Sequence, residues 1–168
     1  LIGREQGHLG QSLYQLIHTG KTEGAPPPVD LQDELKAGNL VRALIREGKT
    51  VAVHDVSDGG LLVAIAEMAL AGRAEGAQTD GIGAELFPYE GKLPAHAIWF
   101  GEDQGRYVLA VAPDFAEEVV DRARLLSLPA RIIGRTGGAT LSLKGETQLS
   151  LADLRSPHDD WLPKFMGG

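Results

Sequence analysis

The run Val51-Ala52-Val53-His54-Asp55-Val56-Ser57-Asp58-Gly59-Gly60-Leu61-Leu62 constrains the fold more than any other stretch of this chain. Residues 51–54 read as a short buried strand and residues 55–60 as a polar turn. Leu61, Leu62, Ile65, Met68 and Ala69 then mark a helix that stops at Gly72. A strand that feeds a helix through paired glycines belongs to a layered α/β structure. The rest of the chain extends that pattern. Helices are expected over residues 8–18, over 31–47 behind an Asp30 N-cap, and over 113–125. The stripe of the second is Leu31, Leu35, Leu40, Val41, Leu44 and Ile45, with Gly48 as its stop. Strands are expected over 82–87, 106–112, 130–135, 140–143 and 147–151. In the second of these Tyr107, Leu109 and Val111 share one face. Residues 73–81 and 88–97 read as loops, and the chain from Asp153 as a polar tail whose Trp161, Phe165 and Met166 pack back on the body. Several strands are joined by short turns, so the expected fold is mixed α/β, not a purely parallel doubly wound sheet.

Composition narrows the function classes. The 168 residues fit one domain, with 43% hydrophobic and 23% charged residues, as in ordinary globular chains. With no cysteine, disulfides, thiolate metal sites and cysteine nucleophiles are excluded, and a cytoplasmic setting is expected. A net charge of −7 without a basic cluster argues against nucleic acid as a partner. No apolar run approaches the roughly 18 residues that a membrane span needs. Leu1-Ile2-Gly3-Arg4-Glu5-Gln6 has neither an initiator Met nor the pattern of a secretory signal. Residues 1–6 therefore read as a linker or the end of a preceding domain, and 7–168 as the domain proper.

Two stretches carry candidate chemistry. In the first, the amides at the start of the helix after Gly59 and Gly60 favour an anion, and the glycines let a phosphate or another backbone come close. Asp55, at the strand end beside His54, offers a carboxylate to Mg²⁺. The alternative is a tight turn capped by Ser57 or Asp58. The sequence matches neither G-x-x-x-x-G-K-[ST] nor G-x-G-x-x-G. The second stretch is Phe100-Gly101-Glu102-Asp103-Gln104-Gly105-Arg106-Tyr107. Here Glu102 and Asp103 offer carboxylates to a cation, Gln104 offers an amide to a substrate, and Arg106 offers a fork to a phosphate. Its alternative is a solvated hairpin turn. The five histidines do not fall at zinc-ligand spacings. Ser57 has no recognisable adjacent base, which argues against a hydrolase triad.

Taken together, these stretches resemble a known family. His54-Asp55-Val56-Ser57-Asp58-Gly59-Gly60-Leu61 followed by Ala64-Ile65-Ala66-Glu67-Met68-Ala69 is similar to the signature of the AIR-synthase-related C-terminal domain. Within that superfamily the chain most resembles the last domain of the formylglycinamide ribonucleotide amidotransferase (phosphoribosylformylglycinamidine synthase) family. Gly7-His8-Leu9-Gly10-Gln11-Ser12-Leu13-Tyr14 resembles the opening of that domain, and Gly81-Ile82-Gly83-Ala84-Glu85-Leu86 its middle strand. Leu86-Phe87 and the later Gly101-Glu102-Asp103-Gln104-Gly105-Arg106-Tyr107 resemble its LF-(G/S)-E-S-Q-x-R-(Y/F) turn, here with an insertion between the halves and Asp103 in place of the usual Ser.

The resemblance implies a three-layer α/β/α domain with a mostly antiparallel sheet. It also implies a reaction of the whole enzyme, which uses ATP, Mg²⁺ and ammonia from glutamine to turn formylglycinamide ribonucleotide into formylglycinamidine ribonucleotide. The implied partners are upstream ATP-binding domains of the same polypeptide, a glutaminase domain or subunit and a small bridging subunit. Catalytic residues would lie elsewhere, so none is assigned here; the chain alone is expected to be inactive, and ATP and Mg²⁺ are expected in the full-length enzyme. By resemblance the candidate ligand contacts are His54, Ser57, Gly59, Gly60, Glu102, Gln104 and Arg106, with Asp55 for the metal. The rival readings are a domain of another ATP-using relative, such as AIR synthase or selenophosphate synthetase, and a non-catalytic scaffold.

Overall fold

The structure is a computed structural model that describes residues 1–72, 81–144 and 148–167. Its elements in chain order are α1 (Leu13–Thr19), α2 (Leu31–Arg46), β1 (Ala52–Asp55), α3 (Gly60–Ala71), β2 (Ala84–Leu86), α4 (Ala95–Phe100), β3 (Tyr107–Ala110), α5 (Pro113–Leu125), β4 (Gly134–Thr136), β5 (Thr140–Leu143), β6 (Gln148–Ser150) and α6 (Leu151–Phe165). The chain forms two compact units, one from residues 1–65 with 89–132 and one from residues 66–88 with 133–168. Helix α3 begins in the first and ends in the second.

The first unit is built on the antiparallel β1–β3 ladder, in which Ala52 faces Ala110 and Asp55 faces Tyr107. Ile2 bridges both Tyr107 and Ala130, so residues near the chain start continue the sheet beyond β3. Ile2 is 1% exposed and belongs to this unit's core. Residues 1–6, expected as a linker or the end of a preceding domain, contact this unit, with Gly3 donating to Pro129 and Glu5 paired with Arg131. The core joins Ala37, Leu40, Val41 and Leu44 of α2 to Val119 and Ala123 of α5. Val53, Tyr107, Leu109 and Val111 pack against it, so the face expected for Tyr107, Leu109 and Val111 is the observed one.

Helix α2 keeps its expected span and its Asp30 cap, which accepts from Gln32 and Asp33 amides. Its buried stripe differs, however. Ala37, Leu40, Val41 and Leu44 follow an i, i+3, i+4, i+7 spacing, whereas Leu31, Leu35 and Ile45 are exposed. Helix α1 starts five residues later than expected because Ser12 caps it, accepting from Gln15. The preceding residues cannot be helical: Gln11 has φ 61, and the His8 amide is used by Asp103. Gly20, at φ 71, stops the helix as expected.

The second unit carries a four-stranded sheet in the order β4-β2-β5-β6. β2 pairs antiparallel with β4 and β5 with β6, while β2–β5 is parallel. A mostly antiparallel sheet is what the family resemblance implies. A small core of Ala69, Leu70 and Leu151 sits beside Leu154. Three expectations are corrected. The loop at 88–97 ends in the helix α4, whose Ala97, Ile98 and Trp99 are buried. The polar tail is the helix α6, started by Ser150 accepting from the Ala152 amide. Trp161, Phe165 and Met166 are exposed on it and do not pack back. The strand expected over 130–135 shrinks to an isolated bridge at Ala130 and to β4. The loose connection over 73–81 lies, apart from Gly81, outside the described residues, as does Thr147 of the last expected strand.

Candidate functional site

The β1–β3 register carries both candidate stretches to one end of the ladder. Asp55 faces Tyr107, and the Val56 amide donates to the Arg106 carbonyl at 2.9 Å. Beyond Val56 the chain turns through Gly59 and Gly60, both left-handed at φ +80 and +77, which side-chain-bearing residues rarely adopt. A Cβ on Gly60 would lie 2.6–2.8 Å from the backbone of Phe100 and Gly101. The close approach offered by this glycine is therefore taken by backbone, the second of the two uses the sequence allowed.

The acidic-amide turn meets the glycine turn through Glu102. Its Oε1 accepts from the Gly59 amide at 2.8 Å and from the Leu13 amide, first residue of α1, at 2.9 Å. The Glu102 amide donates to the His8 carbonyl. Asp103, where the family pattern has Ser, turns inward and is 2% exposed. Its Oδ2 accepts from the Gln6 and Gly7 amides, each at 2.9 Å, and its Oδ1 from His8 at 3.0 Å. Two adjacent carboxylates thus collect five backbone amides from three separate segments. Asp103, which the sequence offers to a cation, accepts three backbone donors with both of its oxygens, and Glu102 accepts two through Oε1.

Arg106 also turns inward. It was expected to grip a phosphate, yet it is 1% exposed. Its Nε donates to the Asp103 carbonyl at 3.3 Å, Nη2 donates to the Gly101 carbonyl, and Nη2 lies 3.8 Å from the Asp103 carboxylate. Nη1 is buried without a hydrogen-bond partner among the described residues. Burial draws the guanidinium below its ordinary pKa, against the pull of Asp103 and Glu5. Its charge serves the inside of the turn.

The remaining candidates face outward. The Asp55 side chain is 68% exposed, Ser57 and Gln104 are exposed, and His54 Nδ1 lies 2.6 Å from the Asp55 carbonyl. Among the described residues no three His, Cys, Asp or Glu side chains are grouped to hold a metal. Among the described residues Asp55 would offer Mg²⁺ one carboxylate, and the ion's other ligands would come from outside this group, as phosphates and water often do. Gln104 does not share the glycine turn. It lines a cleft at the start of α2 with Gly3, Arg4, Gln6, Asp30 and Asp33. Arg4 Nε is bonded there to Asp33 at 2.8 Å. Nothing in residue type marks Gln6, His8 and Leu13 as joined to the turn, because they act through backbone amides. A further contact it missed is the stacking of Tyr14 on His96 and Phe100, with centroids 5.6 and 5.4 Å apart.

Residues 1–144 match the family described as AIR synthase related protein, C-terminal domain. The chain belongs to this family. Among curated relatives, the phosphoribosylformylglycinamidine synthase subunit PurL of Rhodopseudomonas palustris is 50% identical over 169 residues, covering 100% of this chain and 22% of the relative. The PurL subunit of Methylocella silvestris is 49% identical over 166 residues, 99% of this chain and 21% of the relative. The chain thus spans about a fifth of the length of the curated relatives it matches. Among solved structures, Thermotoga maritima PurL complexed with FGAR superposes with a TM-score of 0.67 at 17% identity, over 83% of this chain and 24% of that one. The T. maritima PurLQS structure gives 0.62 at 17% identity, over 86% and 24%. These likenesses confirm the AIR-synthase-like fold of the family's C-terminal domain.

Proposed function

We propose that this chain works as a domain of a phosphoribosylformylglycinamidine synthase, which makes formylglycinamidine ribonucleotide from formylglycinamide ribonucleotide, ATP and glutamine-derived ammonia. The observation that carries this reading is the near-50% identity to PurL subunits across the whole chain. The T. maritima PurL structures complexed with FGAR, ATP and ADP support the ligand classes, and PurLQS supports further protein components. We take those components to be a glutaminase and a small bridging subunit, and the setting to be cytoplasmic.

The chain's part in this reading is auxiliary. In the full enzyme Mg²⁺ neutralises phosphate charge; here Asp55 is the residue to hold it, with His54 bracing the adjoining backbone. Ser57 and Gln104 are the outward polar groups for ligand contact. The scaffold reading keeps support from the turn itself, where Glu102, Asp103 and Arg106 all bond to backbone.

The test is made in the full-length synthase that carries this chain. Gln104→Ala and Asp55→Asn are measured for ATP-dependent conversion of formylglycinamide ribonucleotide. If these residues touch ligand, Asp55→Asn raises the Mg²⁺ needed for half-maximal rate and Gln104→Ala raises KM, each by about tenfold, the loss of one charge-assisted contact. Wild-type kinetics in both variants would leave the scaffold role. A full-length wild type without this activity would refute the synthase reading.

A further inference from the structure

We propose that the Glu102 carboxylate is the resident anion of the glycine turn, a positioning group that excludes phosphate from the Gly59 amide. The proposal goes beyond the synthase reading and does not depend on which substrate the whole protein uses.

A glycine turn that opens a helix presents unpaired amides, and in many proteins those amides hold a phosphate. In this chain the Gly59 amide is already paired. Glu102 Oε1 lies 2.8 Å from it and 2.9 Å from the Leu13 amide, so one oxygen bridges two segments far apart in sequence. The side chain is also anchored at its base. The Glu102 amide is bonded to the His8 carbonyl at 2.9 Å, and the neighbouring Asp103 is fixed by three amides of residues 6–8. Behind Asp103 stands Arg106, fully buried.

This anchoring decides the competition. A tethered carboxylate meets its amides at an effective concentration of about millimolar or more, without the ordering cost of a free ion. An entering phosphate must break two hydrogen bonds to a charged acceptor and bring its own charge beside the displaced carboxylate. Space argues the same way. Gly59 and Gly60 are buried, a Cβ on Gly59 would lie 2.7 Å from the Val63 side chain, and Gly60 abuts the backbone of Phe100 and Gly101. The turn is packed against protein where a phosphate site would be open. Ligand contact near this end of the ladder is then left to Asp55 and Ser57.

The test is a titration of the isotope-labelled 168-residue chain with inorganic phosphate, followed by the amide signals of Gly59 and Leu13. In wild type both signals stay in place through the millimolar range, while Glu102→Gln, which keeps the side chain's length and removes its charge, shifts both signals upfield before any phosphate is added. Glu102→Asp, one methylene shorter, loses at least one of the two bonds and shifts at least one signal. A saturable phosphate-dependent shift of the Gly59 amide in wild type overturns the proposal and needs no variant to fold. So does a Glu102→Gln spectrum in which Gly59 and Leu13 are unmoved.

Discussion

Asp103 is the residue on which the acidic-amide turn depends. Its carboxylate satisfies three amides from residues 6–8 and is the nearest counter-charge to a guanidinium with no exposed surface. Truncation leaves those amides unpaired and a buried cation uncompensated, a combination that typically costs about 3–5 kcal/mol. We therefore expect Asp103→Ala to lower the unfolding free energy by roughly that amount in urea titration. Asp103→Ser, the residue of the family pattern, should lose most of the same stability, since a hydroxyl cannot accept three amides at these positions. A variant within ~0.5 kcal/mol of wild type would show that the clasp carries no weight. Little of this was legible beforehand. The sequence announced two carboxylates and an arginine in a polar turn, and the pattern G-E-D-Q-G-R suited a ligand site as well as an internal clasp. What separates the two is which way each side chain turns, and the partners that decide it are main-chain amides of residues 6–8, 13 and 59. Asp55, Ser57 and Gln104 are exposed, as short polar side chains at strand ends and in turns usually are.

At the scale of elements, legibility followed length and capping. Helices α2 and α5 have caps or an N-terminal proline and enough turns for a stripe to repeat, and their spans came out close to those expected. Helix α4 has six residues behind Pro94, whose side chain cannot cap, so no period could be recognised. Helix α6 contains Pro157 and Pro163, which argue against a helix locally. Its evidence lay before them, in the Ser150 cap and the Leu151 anchor. α2 and α5 also share an ion pair that titrates. Arg122 Nη2 donates to Glu47 Oε1 at 2.9 Å, at the C-terminal end of α2. That hydrogen bond, ahead of the opposing effect of desolvation, holds the Glu47 carboxyl below its ordinary value, and the same bond raises Arg122. A depressed folded pKa means stability that is present above the unfolded carboxylate pKa, about 4.3, and lost as pH falls through the folded value. Glu47→Gln should therefore lower Tm at pH 7, with the gap to wild type closing below about pH 4. Both groups are solvent-accessible, so added salt should narrow the neutral-pH gap. A gap that is constant from pH 7 to pH 3, in thermal melts at matched ionic strength, would assign the loss to packing instead.

At the scale of the whole molecule, holding a shape and doing chemistry make different demands on a chain. The first unit joins Ile2 to α2, α5 and the β1–β3 ladder in one core, and its most polar turn is spent on backbone amides. Phosphoryl transfer asks for something different: several preorganised charges converging on the transferring group, often with metal ions between them. Among the described residues no such convergence of three acidic or imidazole side chains exists, and the outward candidates Asp55 and Gln104 belong to different surroundings. The relatives place about four-fifths of their length outside the region this chain matches. Under the synthase reading, then, the 168 residues by themselves should turn over no formylglycinamide ribonucleotide with ATP and an ammonia source, while the full-length protein does. The measurement is product formation by each at equal molar concentration, with Mg²⁺ saturating. ATP-dependent product from the short chain would mean that the catalytic groups lie within it, and would move the reaction centre to the outward face of the β1 end near Asp55.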